Sequence, residues 1–183
     1  MKRLSLLVLL ALLGVPSIAA AQSGATILLV RHAEKVSNAQ DAGLSDFGKE
    51  RAERLARMLA DAGINAIYTS EVQRTQQTAA PLTKRLKIEP IVIAAKDMDG
   101  LVKRLQAVPD GAVALLVGHS NTLPIIIKKL LGKQEGFHGG AMREITLGDT
   151  DYDRLFIISG LRELSVSPVP SNAGVAKFLI LHY

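Results

Sequence analysis

Two apolar runs of the same kind punctuate the chain. Thr26 to Val30 and Val113 to Val117 are short and uninterrupted, and each ends abruptly in polar residues: Arg31 and His32 after the first, Gly118, His119, Ser120 and Asn121 after the second. A run of this length without polar alternation describes a strand buried on both faces. Between them the pattern changes period. The polar stretch through Gly43 reads as loop, and Ser45 is placed to cap a helix through Glu50, Ala52, Leu55 and Leu59 that closes near Gly63. Ala66 to Thr69 predicts a second strand. A helix through Arg74 and Thr78 follows, in which Pro81, lacking an amide donor, should form a kink or mark a break. Ile91 to Ile93 predicts a third strand, Leu101 to Leu105 lie in the next helix, and Pro109, Asp110 and Gly111 make a turn. Beyond the second apolar run, a helix from Thr122 to Leu131 is stopped by Gly132. Ile145 to Leu147, Leu155 to Ser159 and Phe178 to Leu181 predict later strands, the last two joined by a loop containing Pro168 and Pro170.

Strands alternating with helices define an α/β chain with a mostly parallel sheet covered on both faces, whose crossovers are right-handed. No repeat, low-complexity tract or linker divides it, and 183 residues suit one domain. The composition, 48% apolar and 21% charged, is that of a folded globular protein with a mainly aliphatic core, since only 4% of residues are aromatic. In such sheets ligands sit beyond the carboxyl ends of the strands, near a reversal in strand order. His32 and His119 each lie just past such an end.

The first stretch stands apart. Lys2 and Arg3 precede an apolar run from Leu4 that ends in Ala19, Ala20 and Ala21, the form of a secretory signal peptide. Ala19 and Ala21 satisfy the small-x-small rule, so residues 1–21 are expected to be removed before Gln22, leaving residues 22–183 as the catalytic domain. The alternative is an uncleaved anchor, but Gly14 and Pro16 interrupt a run already short for a span. Export to the periplasm of a Gram-negative cell, or secretion, is the expected destination, without stable membrane association after cleavage. The formal charge of +5 loses two units with Lys2 and Arg3, and no Lys/Arg run interleaved with aromatics points to nucleic acid. The absence of cysteine excludes disulfides, thiolate catalysis and lipid attachment at a signal-peptide cysteine.

The polar residues after the strands carry the chemistry. A neutral imidazole attacks phosphorus well when its other nitrogen is fixed by a hydrogen bond, which fits His32. Arg31 beside it and Arg74 past the second strand end offer planar forks for phosphate oxygens, and His119 offers a further donor as charge shifts. Ser120 and Asn121 either bind substrate or cap the following helix. His32, Glu34 and His119 lack a tight metal-binding spacing, and two arginines would repel a cation, so no metal or other cofactor is expected. His138, among glycines, and His182 read as surface or structural residues.

Arg31-His32-Ala33-Glu34 resembles the Arg-His-Gly signature of the histidine phosphatase superfamily, with Ala33 in place of the glycine. Leu44, Ser45, Gly48 and Ala52 resemble the helix pattern after it, Tyr68-Thr69-Ser70 with Arg74 and Thr75 the second phosphate-binding segment, and Val117-Gly118-His119-Ser120 the segment with the second histidine. The resemblance implies a three-layer α/β/α sandwich and hydrolysis through a phosphohistidine, with His32 as nucleophile and Arg31, Arg74 and His119 as the phosphate pocket. The compact chain resembles the phosphoglycerate mutase-like branch, with its small single-domain phosphohistidine phosphatases. Ser120 stands where larger acid phosphatases carry an acidic residue. The general acid is not identified: Asp97 and Asp99 lie in the region where mutase-like members carry a carboxylate, without a matching motif, while Glu34 and Glu71 are nearer in sequence to the catalytic residues. The expected substrate is a small phosphomonoester, a phosphoramidate or a phosphoprotein. A phosphosugar mutase and a phosphate-binding protein without turnover are the alternatives, and the sequence leaves the oligomeric state open.

Overall fold

A computed structural model of the chain describes residues 24–132, 145–161 and 176–183. The expected signal peptide at residues 1–21, His138 and the expected loop with Pro168 and Pro170 lie outside the described residues. The described chain begins with strand β1 (Ala25–Arg31) and helix α1 (Asp46–Met58), followed by β2 (Ile64–Thr69) and α2 (Gln73–Leu86). A short β3 (Ile91–Val92) and α3 (Met98–Gln106) lead to β4 (Val113–Gly118) and α4 (Leu123–Leu131), and β5 (Arg154–Leu161) and β6 (Lys177–His182) complete the sheet.

The six strands form one sheet in the order β3-β2-β4-β1-β5-β6. The pairings β3 with β2, β2 with β4 and β4 with β1 are parallel, whereas β5 is antiparallel to both β1 and β6. Only β5 runs against the rest, which agrees with the expected mostly parallel sheet. Alternate residues of the central strands serve opposite faces, as the two-residue period of a strand requires. Ile27, Leu29, Ala114 and Leu116 pack with Val102 and Leu105 of α3 and with Leu123, Ile126 and Ile127 of α4. Leu28, Val30, Leu115 and Val117 pack with Leu55 and Ala56 of α1 and with Ala79 and Leu82 of α2. The uninterrupted apolar runs are thus explained: both faces of β1 and β4 are covered, and the fold is a three-layer α/β/α sandwich.

Helix α1 begins where expected. Ser45 Oγ accepts from Gly48 N at 3.1 Å, and Ser45 N and Oγ both donate to the Glu34 carbonyl, at 2.8 and 3.2 Å. Gly48 stands so close to that carbonyl that a Cβ would overlap it. The first turn of α1 is therefore pinned to the loop that leaves the site.

Pro81 marks no break, and one strand expectation is corrected. Helix α2 continues past Pro81 to Leu86 and ends at Lys87, whose φ of 56° places it in the left-handed region. Thr78, Ala79 and Leu82 are buried around the proline, so packing carries the helix through it. Ile145 to Leu147 form no strand. The side chains of Ile145 and Leu147 do pack on the α3/α4 core, which explains the apolar pattern. Both sides of β5 are already taken by β1 and β6, so this stretch finds no ladder there; the Thr146 carbonyl instead accepts from Arg154 Nη1 at 3.1 Å.

Substituting Gly48→Ala is expected to lower stability by about 1–3 kcal/mol, because overpacking against a backbone carbonyl outweighs the gain of up to about 1 kcal/mol in helix propensity. Urea unfolding checks this, through a lower midpoint at constant slope.

Candidate active site

The site follows from strand register. In the β1–β4 ladder Arg31 pairs with Gly118, and the His32 amide donates to the Gly118 carbonyl at 2.9 Å. The next residue on each strand is a histidine, so His32 and His119 leave the sheet side by side, with ring centroids 5.4 Å apart and planes at 62°. From β1 the chain departs into α1 on one face, and from β4 into α4 on the other. This divergence opens the crevice in which an α/β sheet binds its ligand.

The imidazole of His32 is buried and oriented by its own loop. Nδ1 lies 2.8 Å from the Ala33 carbonyl, and since a carbonyl only accepts, Nδ1 carries the proton. Nε2 is left with a free lone pair. Ala33 N in turn donates to Thr78 Oγ1 at 2.9 Å, and Thr78 Oγ1 donates to the Arg74 carbonyl at 2.7 Å. A buried threonine on α2 thus ties the histidine loop to the helix turn that carries Arg74.

A second relay orients His119. Arg74 Nη2 makes a long contact of 3.5 Å with His119 Nδ1, which a guanidinium can meet only as donor, so Nδ1 accepts and Nε2 donates to Ser70 Oγ at 3.1 Å. Ser70 Oγ passes its proton to Thr75 Oγ1 at 2.9 Å, and Thr75 Oγ1 donates to the Val72 carbonyl, also at 2.9 Å. Arg74 Nη1 is tied to the Gln40 carbonyl at 2.7 Å. The neighbouring Asp41 accepts from Gln73 N at 2.8 Å, serving the first turn of α2, where Val72 supplies no side-chain cap.

Arg31 is 5% exposed. Its Nη1 donates to the carbonyls of Gly148 and Asp149, at 2.8 and 3.0 Å, and Nη2 meets Tyr152 Oη at 3.4 Å. Nε has no partner among the described residues. Nε–H and the remaining Nη2–H share one edge of the guanidinium, the fork that grips two oxygens of a tetrahedral anion.

The structure therefore brings Arg31, His32, Arg74 and His119 together at one rim. Ser120 is half-buried at that rim and Asn121 is exposed; the helix start falls to Thr122, whose Oγ1 lies 3.3 Å from both the amide and the carbonyl of His119. Asp97 and Asp99 are engaged elsewhere: Asp97 accepts from Gly100 N at 3.0 Å as the cap of α3, and Asp99 pairs with Lys129 at 2.7 Å. Glu34 is held by Arg51 Nε and Nη2 at 2.7–3.0 Å, and Glu71 accepts from Ala95 N at 2.7 Å. The sequence reading did not find the loop 148–152, whose tie to Arg31 spans more than a hundred residues and follows no local period. Among the described residues no three His, Asp or Glu side chains form a group that could hold a metal ion.

Both histidines are held neutral. Burial lowers the pKa of His32 from 6.5 to about 4 against the Ala33 hydrogen bond, which raises it, with His119, Arg74 and Arg31 adding repulsion. Burial also lowers His119 to about 4, assisted by Arg74 and Arg31 and opposed by Glu71.

An α/β crevice with two neutral histidines and two guanidiniums offers an imidazole lone pair beside fixed donors for an oxyanion. Residues 27–96, from β1 past β3, match the model of the histidine phosphatase superfamily (branch 1). Over this stretch the chain resembles that superfamily. Its fold is shared by the protein histidine phosphatase SixA complexed with tungstate, at 16% identity and a TM-score of 0.58 over 86% of this chain and 96% of that one. A mycobacterial glucosyl-3-phosphoglycerate phosphatase matches at 16% identity and 0.56 over 75% and 90%, and a protein described as mycobacterial hydrolase 2 at 16% and 0.61 over 86% and 89%. No curated protein matches the chain in sequence.

The depressed histidines set a pH dependence. Unfolding returns each pKa to about 6.5, so between about 6.5 and about 4 the unfolded chain binds more protons than the folded one. Stability is then complete above pH 6.5 and declines as pH falls through this window. Urea midpoints measured across it should drop in the wild type and drop less in His119→Asn. A midpoint independent of pH in the wild type would contradict the assignment.

Proposed function

We propose that this chain is a metal-independent phosphatase that hydrolyses phosphomonoesters or phosphoramidates through a phosphohistidine on His32. The observation that carries this reading is the bond from His32 Nδ1 to the Ala33 carbonyl, which leaves Nε2 unprotonated beside two guanidiniums. In the first step Nε2 attacks phosphorus while the bond from phosphorus to the leaving oxygen or nitrogen breaks, and the leaving group takes up a proton. In the second, water attacks the phosphoryl group, the P–N bond to His32 breaks, and inorganic phosphate departs. Arg31 and Arg74 donate to the equatorial oxygens in both transition states, where fixed donors contribute most, and His119, whose single N–H is given to Ser70 in the free site, joins them by exchanging that bond for a phosphoryl oxygen. His32 is already neutral at pH 7, so no general base is needed for the attack.

The proton for the leaving group is the weaker part of this site, since Glu34, Glu71, Asp97 and Asp99 all have other partners. Aryl phosphates and phosphoramidates, which depart more readily, are therefore expected to outpace alkyl phosphates. Phosphoproteins fall within the same chemistry, and the two phosphatases of shared fold, one a protein histidine phosphatase and one a glucosyl-3-phosphoglycerate phosphatase, support both substrate sizes. The leader at residues 1–21 supports action outside the cytoplasm.

The test is turnover of p-nitrophenyl phosphate and a phosphoramidate by residues 22–183 with EDTA present. Activity should survive chelation and fall on the order of 10³-fold or more in His32→Ala. Acid-labile phosphate should accumulate on the wild type only. Absence of turnover with phosphate still bound would identify a phosphate-binding protein instead.

A further inference from the structure

Arg31 poses a physical problem that the reaction scheme does not address. A guanidinium as buried as this one ordinarily takes a carboxylate partner, because desolvating an unpaired cation is costly. Arg31 forms no ion pair among the described residues; its contacts are two carbonyls and a phenol. Tyr152 does more than accept one weak bond. Its ring lies under the guanidinium, with Arg31 Cζ 4.1 Å from the ring centroid, a cation–π contact in a largely desolvated setting. The same ring is 6.2 Å from the ring of His32, so it also borders the nucleophile.

The loop that presents Tyr152 is built to keep its place. Asp151 Oδ2 accepts from Gly148 N at 2.9 Å and pairs with Arg154 at 2.7 Å, and Arg154 Nη1 reaches back to the Thr146 carbonyl. This closes residues 146–154 into a clasp at the start of β5. The one carboxylate at the centre of the clasp is spent on Arg154 and a backbone amide, and Arg31 receives only neutral groups. Its full charge therefore remains for a ligand, and its Nη1 protons are both consumed on the side away from the Nε–Nη2 edge.

We propose that Tyr152 is a positioning residue for oxyanion binding: its ring, with the Gly148 and Asp149 carbonyls, fixes the guanidinium plane of Arg31 so that the Nε–Nη2 edge meets two oxygens of the phosphoryl group. The proposal rests on the phosphatase reading for its purpose, but its test does not require turnover. Binding of orthovanadate and inorganic phosphate by residues 22–183 is measured by calorimetry for the wild type, Tyr152→Leu, Tyr152→Phe, Arg31→Ala and the double variant Tyr152→Leu/Arg31→Ala. Tyr152→Leu should weaken both anions about tenfold, whereas Tyr152→Phe, which keeps the ring, should stay within about threefold of the wild type. In the Arg31→Ala background the Tyr152→Leu change should have no further effect, a coupling that a merely structural role would not produce. Wild-type affinity in Tyr152→Leu, or an equal loss with and without Arg31, would overturn the proposal. Should Tyr152→Leu fail to fold, Asp151→Asn loosens the clasp without touching Arg31 and should weaken the anions about threefold; unchanged affinity there is equally fatal. Anion binding that follows this pattern without hydrolysis of any phosphoryl compound would count against the phosphatase reading alone, and a wild type that binds neither anion would overturn both.

Discussion

The parallel pairing of β1 with β4 is the contact on which the site depends. Arg31 lies opposite Gly118, and one residue further along each strand stands a histidine. The register is held by side chains that face two different cores, Ile27 and Leu29 against α3 and α4, Leu28 and Val30 against α1 and α2. A slip of one residue would exchange the side chains between these cores and separate His32 from His119. Hydrophobic packing far below the rim therefore sets the distance between two catalytic candidates, and the amide of His32, bonded to Gly118, extends the ladder to the site itself.

Above that ladder the site is organised by neutral groups. Thr75 and Thr78 are wholly buried in α2, positions where a helix would ordinarily place apolar residues, yet each closes a relay: one through Ser70 to His119, the other between Ala33 and the Arg74 carbonyl. The carbonyls of Ala33, Gln40, Gly148 and Asp149 receive the donors of His32, Arg74 and Arg31. The nearby carboxylates are drawn off, Glu34 by Arg51 and Asp151 by Arg154. The outcome, among the described residues, is a crevice with fixed geometry and two guanidiniums that no carboxylate pairs, the condition under which oriented donors act most strongly on a developing anion. The same burial and charge keep both imidazoles unprotonated.

Much of this was legible in the chain itself. The continuous apolar runs of β1 and β4 declared strands covered on both faces, Ser45 declared the start of α1, and Arg31, His32, Arg74 and His119 stood at or just past strand ends, where such sheets bind ligands. These features are local: a strand's burial, a cap or a strand end is encoded in a handful of consecutive residues. What the sequence left open or misplaced had the opposite character. Ile145 and Leu147 have the apolar pattern because they are buried, but a strand also needs a free neighbour, and β1 and β6 had already filled both sides of β5. Pro81 lowers the local helix preference, and only the packing of Thr78, Ala79 and Leu82 on the sheet decides that α2 continues.

The class of the fold and the candidate residues at the strand ends were thus legible in the sequence alone, through residue type and hydrophobic period. Tertiary structure decided which nitrogen of His32 carries its proton, which hydroxyls orient His119, and how Arg31 is held by a loop beginning 117 residues away. It also decided that Asp97 serves as a helix cap and Asp99 as the partner of Lys129. These are hydrogen-bond assignments between groups distant along the chain. No periodic pattern encodes them, because each depends on where the sheet register and the crossing helices bring the partner.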